Sequence, residues 1–431
     1  MANTIAQVVE SGLCCGCGTC AGVCPTEAIR MNVSQGLYVP EIEDEKCSRC
    51  RLCIDSCPGH SVDFKALCSK IFGGQPENTL IGNYLGCYIG HSTDDEIRYN
   101  SSSGGIITQL LIFALENNFI DGALVTRMRK DNPLEPEAFI ARTREEVISA
   151  SKSKYCPVAP NISLRQILKE NGRFAVVGLP CHIHGVRKAE RVFKLLDKRI
   201  VLHIGLLCSH MVNFAGTDLL LEKMRIKKEQ VRELNYRGKG WPGSISVEVK
   251  HRSNLSIPLI GGWNAYWPVF SSFFFTPMRC TMCPDQTSEL ADISLGDAWL
   301  PELKYEKSGE SIIITRTKAG EDILALASSA QAISIKRVDA EKVKQSQAVN
   351  LTFKKNDLTS RLRLLSLLGK ETPKFNPEIN ATGSPIAILR AFFIYFNIRL
   401  SSNKYFKSLL VYVPFPMFRL YYGIYKFLSL V

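Results

Sequence analysis

Residues 14–25 read Cys-Cys-Gly-Cys-Gly-Thr-Cys-Ala-Gly-Val-Cys-Pro, and residues 47–58 repeat the frame as Cys-Ser-Arg-Cys-Arg-Leu-Cys-Ile-Asp-Ser-Cys-Pro. Each copy contains a C-x2-C-x2-C-x3-C-P run, the spacing with which thiolates hold cubane iron–sulfur clusters. Three thiolates in one tight loop wrap one face of a cubane, and the fourth comes from elsewhere. Four-cysteine zinc binding is the competing reading, but zinc knuckles do not use this doubled run with both prolines. The pattern implies electron transfer.

In two-cluster ferredoxins the cysteine before proline ligates the other cluster. The expected sets are therefore Cys14, Cys17, Cys20 with Cys57, and Cys47, Cys50, Cys53 with Cys24. That crossing ties the two halves into one ferredoxin-type dicluster domain over residues 1–66, holding two [4Fe-4S] clusters. Gly16 and Gly18 let backbone N–H groups approach the sulfurs, and such hydrogen bonds tune reduction potential. Cys15 is surplus to the pattern.

At 431 residues the chain is too long for a ferredoxin alone. Nine of its sixteen cysteines fall between residues 14 and 57, so the count reflects clusters rather than a disulfide framework. Cluster assembly and free thiols imply a reducing cytoplasm, and the first residues do not fit a secretory leader. The net charge is +12. Half of that excess lies after Glu378, where Arg390, Arg399, Lys404, Lys407, Arg419 and Lys426 face no acidic residue. The body is only mildly basic, and nucleic acid is not an expected partner.

A Gly-Gly-Gln-Pro stretch at 73–76 reads as linker. From about residue 84 strands alternate with helices, which predicts an α/β domain. Ser101-Ser102-Ser103-Gly104-Gly105 precedes apolar residues at helical spacing (Ile106, Ile107, Leu110, Leu111, Ala114, Leu115), with Ser103 as N-cap and an end near Asn117. Residues 123–125 read as a buried strand. A second unit runs from a strand at 174–177 through Gly178-Leu179-Pro180-Cys181 into a helix, then into a strand at 200–207 ending at Cys208. Neither unit carries G-x-G-x-x-G, so the nicotinamide fingerprint is absent. The Ser-Gly run reads either as a phosphate site at a helix start or as a plain cap. Cys181, Cys208, Cys280 and Cys283 read either as a third cluster site or, for the first two, as buried small hydrophobes.

Residues 380–431 form an amphipathic helical tail. Met417, Leu420, Tyr421, Ile424, Phe427, Leu428 and Val431 fall on one helical face, with Arg419, Tyr422, Lys426 and Ser429 opposite. The uncharged stretch between Lys407 and Arg419 is too short to span a bilayer. An aromatic, basic, acid-free helix suits an anionic membrane interface; docking on the body or on a partner is the alternative.

Several of these segments resemble the coenzyme F420 hydrogenase/dehydrogenase beta-subunit family. The matching stretches are Ser-Ser-Ser-Gly-Gly-Ile (101–106), Ser-Lys-Tyr (153–155), Val-Gly-Leu-Pro-Cys (177–181), Tyr-Arg-Gly-Lys-Gly-Trp-Pro-Gly (236–243), Arg-Cys-Thr-Met-Cys-Pro-Asp (279–285) and Ala-Asp-Ile-Ser-Leu-Gly-Asp-Ala-Trp (291–299). They cover about residues 84–330. The resemblance implies an α+β/α/β protein, its dicluster domain followed by an α/β flavin-binding domain. It implies FAD held by Ser102, Ser103, Gly104, Gly105, Lys154 and Tyr155, and a third [4Fe-4S] cluster on Cys181, Cys208, Cys280 and Cys283. It implies an oxidoreductase exchanging a hydride between coenzyme F420 and FAD and relaying single electrons to or from a redox partner protein or subunit. Reduction of another organic substrate and non-catalytic electron transfer are the alternatives, as is a membrane-docked adaptor without flavin. The family does not require cysteine at Cys156, which is expected to be a buried thiol, as are Cys15, Cys68 and Cys87. His182 stands where glutamine is more usual; His182 and His184 read either as proton donors or, the expected reading, as surface or structural residues. Asp292 and Asp297 either position ribityl or substrate groups or cap a turn, and no general acid or base is assigned. The expected location is cytoplasmic or peripheral on the inner membrane face.

Overall fold

The computed structural model describes residues 4–251, 253–376 and 384–430, the side chains of Ser429 and Leu430 excepted. Its centre is an eight-stranded sheet. In chain order the strands are β1 (Gly86–Ser92), β2 (Gly122–Met128), β3 (Pro136–Ala141), β4 (Phe174–Gly178), β5 (Ile200–Leu206), β6 (Ile293–Asp297), β7 (Ser311–Thr315) and β8 (Ile333–Val338). Across the sheet they run β8-β1-β7-β6-β5-β4-β2-β3. The neighbours β2, β4, β5 and β6 are parallel, and the outer pairs are antiparallel. The α/β expectation thus describes the middle of a mixed sheet.

The central strands are apolar because both faces are covered. Ala123, Val125, Ala175 and Leu202 face helix α1 (Ile106–Glu116) through Leu110, Leu111 and Ala114. Leu124 and Val176 point the opposite way, onto Ile183, Val186 and Ala189 of helix α2 (Pro180–Val192). The period-2 alternation of the strands thereby sandwiches the sheet between two helical layers.

A buried ionic array ties α2 to the sheet. The His203 ring lies 2.8 Å from Asp292 through Nδ1 and 2.6 Å from Glu190 through Nε2. Arg187 donates to both acids, at 3.1 and 3.2 Å. Asp292 is thus a structural anion, also accepting from the Thr317 hydroxyl. Burial and the Arg187 charge press the imidazole down, but the two carboxylates outweigh them and hold it above its usual value. A group raised in the folded state stabilises fully below its unfolded value and loses that contribution as pH rises through the folded one. The melting temperature is therefore expected to fall as pH is raised above about 6.5, and His203→Gln to flatten that slope. Parallel slopes in the two proteins would contradict a charged imidazole.

The ferredoxin-type segment contributes an antiparallel pair, Ile29–Ser34 with Leu37–Ile42. It is docked tightly on the body. Asn161 N–H donates to the Cys17 carbonyl at 3.1 Å, and a Cβ on Gly22 would stand 2.0 Å from the Asn161 carbonyl oxygen. Strand Ser61–Asp63 pairs in parallel with Lys374–Asn376, so residues far along the chain return to this segment.

The tail differs from a single amphipathic helix. It folds as α3 (Pro385–Ser402), α4 (Lys404–Tyr412) and α5 (Phe415–Leu430), with Val431 and residues 380–383 outside the described residues. In α5 the buried side chains are Phe418 and Tyr425, set against Phe274 and Phe273. Met417, Leu420, Ile424 and Phe427 of the predicted apolar face are 57%, 72%, 54% and 66% exposed. The helix is apolar nearly all round, and aromatic packing rather than the apolar moment selects its inner face. Arg390, one of the six basic residues of the acid-free tail, is buried in a bidentate pair with Asp357 at 2.7 Å on both nitrogens. No helix among the described residues is long and apolar enough to cross a membrane.

Candidate functional site

The two N-terminal loops bring their cysteines near one another. Cys57 interacts electrostatically with Cys14, Cys17 and Cys20 of the first loop, and Cys53 does so with Cys50, Cys24 and Cys20. Burial pushes the Cys14 thiol up to about 12 and Cys53 up to about 11; cluster binding would replace those protons. Cys17, Cys20 and Cys57 are buried and Cys50 is exposed, with Cys24, Cys47 and Cys53 between. Gly16 takes a left-handed conformation and its N–H points at the Cys14 sulfur at 3.4 Å; Gly59 N–H does the same for Cys57 at 3.3 Å. Gly18 has a different reason to be glycine: a Cβ there would stand 3.0 Å from the Ala159 carbonyl oxygen.

A second group forms where the sheet ends. Cys181 opens α2 just after β4, and Cys208 follows β5, its parallel neighbour. The loop bearing Cys280 and Cys283 is held there by the Cys208 N–H, which donates to the Gln286 carbonyl at 2.9 Å. Cys283 interacts with Cys181, Cys208 and Cys280, and Cys208 with Cys280. Burial pushes Cys208 up to about 12. Among the described residues no three ligating side chains are grouped to hold a single metal ion.

Cys15 is more than a buried thiol. It lies beside both Cys17 and Cys181, which hold it well below its usual value, and so it stands between the two cysteine groups. Spacing gave no sign of this, because the contact joins residues far apart in sequence. Cys68, Cys87 and Cys156 are simply buried. His182 Nδ1 accepts from the Leu179 N–H at 3.2 Å, and buried His184 lies 2.8 Å from Asp285; both have structural partners.

The Ser-Gly run meets the Ser-Lys-Tyr segment directly. Ser153 donates from its backbone N–H to the Ser102 hydroxyl at 2.7 Å, and the two hydroxyls are 3.0 Å apart. Ser103 bonds Ser311 at 2.6 Å. The N-cap of α1 is Gly105 in the left-handed region rather than Ser103, and no side chain caps the helix. Gly104 packs where a Cβ would stand 2.4 Å from the Gly90 carbonyl oxygen. The Lys154 ammonium donates to the carbonyls of Ala150, Ser151 and Lys152 at 2.6–2.9 Å, shaping the loop, and burial lowers it to about 7.

Behind this loop stands an array that single motifs do not reveal. Arg237, 2% exposed, makes a bidentate pair with Asp297 at 2.7 and 2.8 Å, donates to the Pro242 carbonyl at 3.3 Å and lies beside the Tyr155 hydroxyl. Trp241 Nε1 donates to Asp297 at 2.7 Å, and its ring lies 4.6 Å from that of Trp299. Asp297 thus joins three matching stretches rather than capping a turn. The Ser101 hydroxyl is buried without a partner among the described residues. An orphaned hydroxyl, the Ser102–Ser153 pair at a helix start and flat aromatic surfaces fit a flavin nucleotide in donor chemistry. From Tyr155 the rings of Phe270 (5.1 Å) and His210 (a further 4.3 Å) lead to the Cys208 loop.

Comparison with known proteins gives the family. Residues 87–165 match the family model for the coenzyme F420 hydrogenase/dehydrogenase beta subunit N-term, and residues 171–341 match that for its C terminus. Residues 13–61 match a 4Fe-4S dicluster domain. The chain is 29% identical over 259 residues to coenzyme F420 hydrogenase subunit beta of Methanosarcina barkeri, covering 57% of this chain and 80% of that one. It is 26% identical over 360 residues to coenzyme F420-dependent sulfite reductase of Methanocaldococcus jannaschii, covering 79% of this chain but only 49% of that protein. Among solved structures, a chain of the F420-reducing [NiFe] hydrogenase complex from Methanosarcina barkeri superposes with a TM-score of 0.54 at 25% identity, covering 70% of this chain and 99% of that one. The chain therefore belongs to the coenzyme F420 hydrogenase/dehydrogenase beta-subunit family of oxidoreductases, with a 4Fe-4S dicluster domain ahead of the family's fold.

Proposed function

We propose that this protein is an iron–sulfur flavoprotein that exchanges a hydride between coenzyme F420 and FAD and relays single electrons through three [4Fe-4S] clusters to or from a partner protein. The observation that carries the reading is the continuity of the sites. The Tyr155 array adjoins Cys208 through Phe270 and His210; Cys283 faces Cys181; Cys15 joins Cys181 to Cys17; and the series ends at exposed Cys50.

A bound flavin would supply the conversion between a two-electron hydride and single electrons. Ser102, Ser103, Gly104 and Gly105 would hold its phosphates beside the start of α1, while Lys154 fixes the loop that presents Tyr155. Arg237 and Asp297 orient Tyr155 and Trp241. Cys181, Cys208, Cys280 and Cys283 are the proposed ligands nearest that site, and the crossed sets serve the two outer clusters. The exposure of Cys50 suits electron exchange with a partner.

Anaerobic purification followed by iron and flavin analysis tests this reading. About twelve irons per chain, from three clusters of four, together with one flavin are expected, with turnover of the deazaflavin against a viologen dye. About eight irons would remove the inner cluster, and absence of flavin would sink the proposal. Flavin without deazaflavin turnover would direct attention to another organic two-electron substrate.

The tail suggests peripheral attachment to an anionic membrane. Its outer surface combines exposed Phe392, Leu409, Tyr412, Leu420 and Phe427 with basic residues and no acid. Burying such side chains in the interface is worth about 1.5–3 kcal/mol each. Leu420→Glu/Phe427→Glu is therefore expected to cut cosedimentation with phosphatidylserine vesicles by roughly tenfold or more, without loss of iron. Unchanged cosedimentation, or binding to a purified partner protein instead, would assign this surface elsewhere.

A further inference from the structure

The inner cysteine group is walled by buried cations that hydrogen-bond no carboxylate among the described residues. Lys354 is 2% exposed and its ammonium, 5.5 Å from the Phe353 ring centre, donates among the described residues only to the Cys280 carbonyl, at 3.2 Å. Its charge acts on Cys208 and Cys280. Arg361 is also 2% exposed. Its Nε donates to the Thr281 carbonyl at 2.7 Å and its guanidinium lies 4.0 Å above the Phe353 ring, but Nη1 and Nη2 have no hydrogen-bond partner among the described residues. Its charge acts on Cys283. Arg279 completes the wall from the dicluster side, donating to the Gly59 and Pro58 carbonyls at 2.9 and 3.2 Å. Its charge acts on both Cys14 and Cys280.

The neighbouring acids bond other groups. Asp357 is bidentate to Arg390, though its charge also reaches Arg361; Asp285 bonds His184 through Oδ2, its Oδ1 having no partner among the described residues; and Glu289 is paired with Lys355. Burying a cation without a counter-charge is strongly unfavourable, so such groups persist where an anion lies against them. Four thiolates outweigh the positive charge of a cubane core, so the ligated cluster is an anion. Reduction adds one electron and makes it more negative, and a nearby fixed cation favours that reduced form.

We propose that Lys354 and Arg361, together with Arg279, are the counter-charges of the inner cluster and raise its reduction potential above what its thiolates alone would give. This rests on the reading of Cys181, Cys208, Cys280 and Cys283 as cluster ligands. Lys354 and Arg361 lie beyond residue 341, where the family match ends. They sit on the π-helical turn Thr352–Asn356 and the helix Leu358–Leu367 that follows it. The segment after the family fold thus sets the driving force of the inner relay.

The test is an anaerobic potentiometric titration followed by electron paramagnetic resonance, on full-length wild type, Arg361→Met, Arg361→Lys and Lys354→Gln. Each neutral variant is expected to retain about twelve irons and to shift one cluster to lower potential by about tenfold in its reduction equilibrium, about 59 mV for a one-electron couple. The other two clusters should keep their potentials, and Arg361→Lys should stay near wild type. Lys354→Gln carries the test if Arg361→Met fails to fold, since it gives up one hydrogen bond to a carbonyl. A neutral variant that folds but drops to about eight irons also supports the proposal, the cluster anion being no longer held. Full iron with all three potentials unchanged would overturn the cation role alone. About eight irons in the wild type would overturn the inner-cluster reading, and this proposal with it.

Discussion

Replacing Cys57 by alanine is expected to cost the protein about four irons and the buried dicluster centre, not the exposed one. Cys57 follows the second loop in sequence, yet its thiol faces Cys14, Cys17 and Cys20. Double variants separate crossed from uncrossed ligation. If Cys57 and Cys17 share one cluster, Cys57→Ala/Cys17→Ala should lose no more than either single variant, about four irons. Cys57→Ala/Cys50→Ala should then lose about eight, because the two residues serve different clusters. Uncrossed ligation reverses the two results, so iron analysis decides between them. The effect on electron transfer should be near-complete in each case. Cys57 lies in the first buried group, and Cys15 places that group between the inner cysteines and the surface.

The iron–sulfur chemistry was legible because cluster ligation fixes local spacing, and a cubane leaves few alternatives for a doubled run. The units around Cys181 and Cys208 were legible for a related reason. An apolar strand and helix at 174–192 followed by a strand at 200–206 allow neighbouring parallel strands, and the fold pairs them, bringing both cysteines to one end of the sheet. What local reading missed depends on distant contacts. Ser103 has the chemistry of an N-cap, but its hydroxyl bonds Ser311 from β7 and Gly105 takes the cap position. Arg390 belonged to an acid-free basic tail until the fold brought it to Asp357. Lys354 and Arg361 lie in ordinary amphipathic sequence, and only packing shows that both are buried beside the Cys280 loop. The exposed apolar surface of α5 was likewise undecidable by periodicity, since aromatic residues occupy both sides of that helix.

Asp297→Ala is expected to destabilise the protein by about 3–5 kcal/mol, the cost of leaving a buried ion-pair partner alone, and to abolish flavin binding. The pair is asymmetric. Arg237 is almost wholly buried, whereas Asp297 retains 19% side-chain exposure, so the loss is dominated by the stranded guanidinium. Asp297 also accepts from Trp241 and links the 236–243 loop to the end of β6. Removing it releases Arg237, and with it the charge that lies against Tyr155. Asp297→Asn keeps the size and an acceptor oxygen but loses the charge, and should lie between wild type and alanine in both readouts. Arg237→Met/Asp297→Leu removes both charges together and should recover much of the stability, because neither partner is left unpaired. Its flavin content separates the two roles. If the array merely holds the fold, flavin should return with stability; if Arg237 positions Tyr155 for the cofactor, the double variant should be stable and flavin-poor. The second result is expected. Denaturation curves together with flavin absorbance in the same four proteins decide it, and full flavin occupancy in the double variant would reassign Arg237 and Asp297 to structure alone.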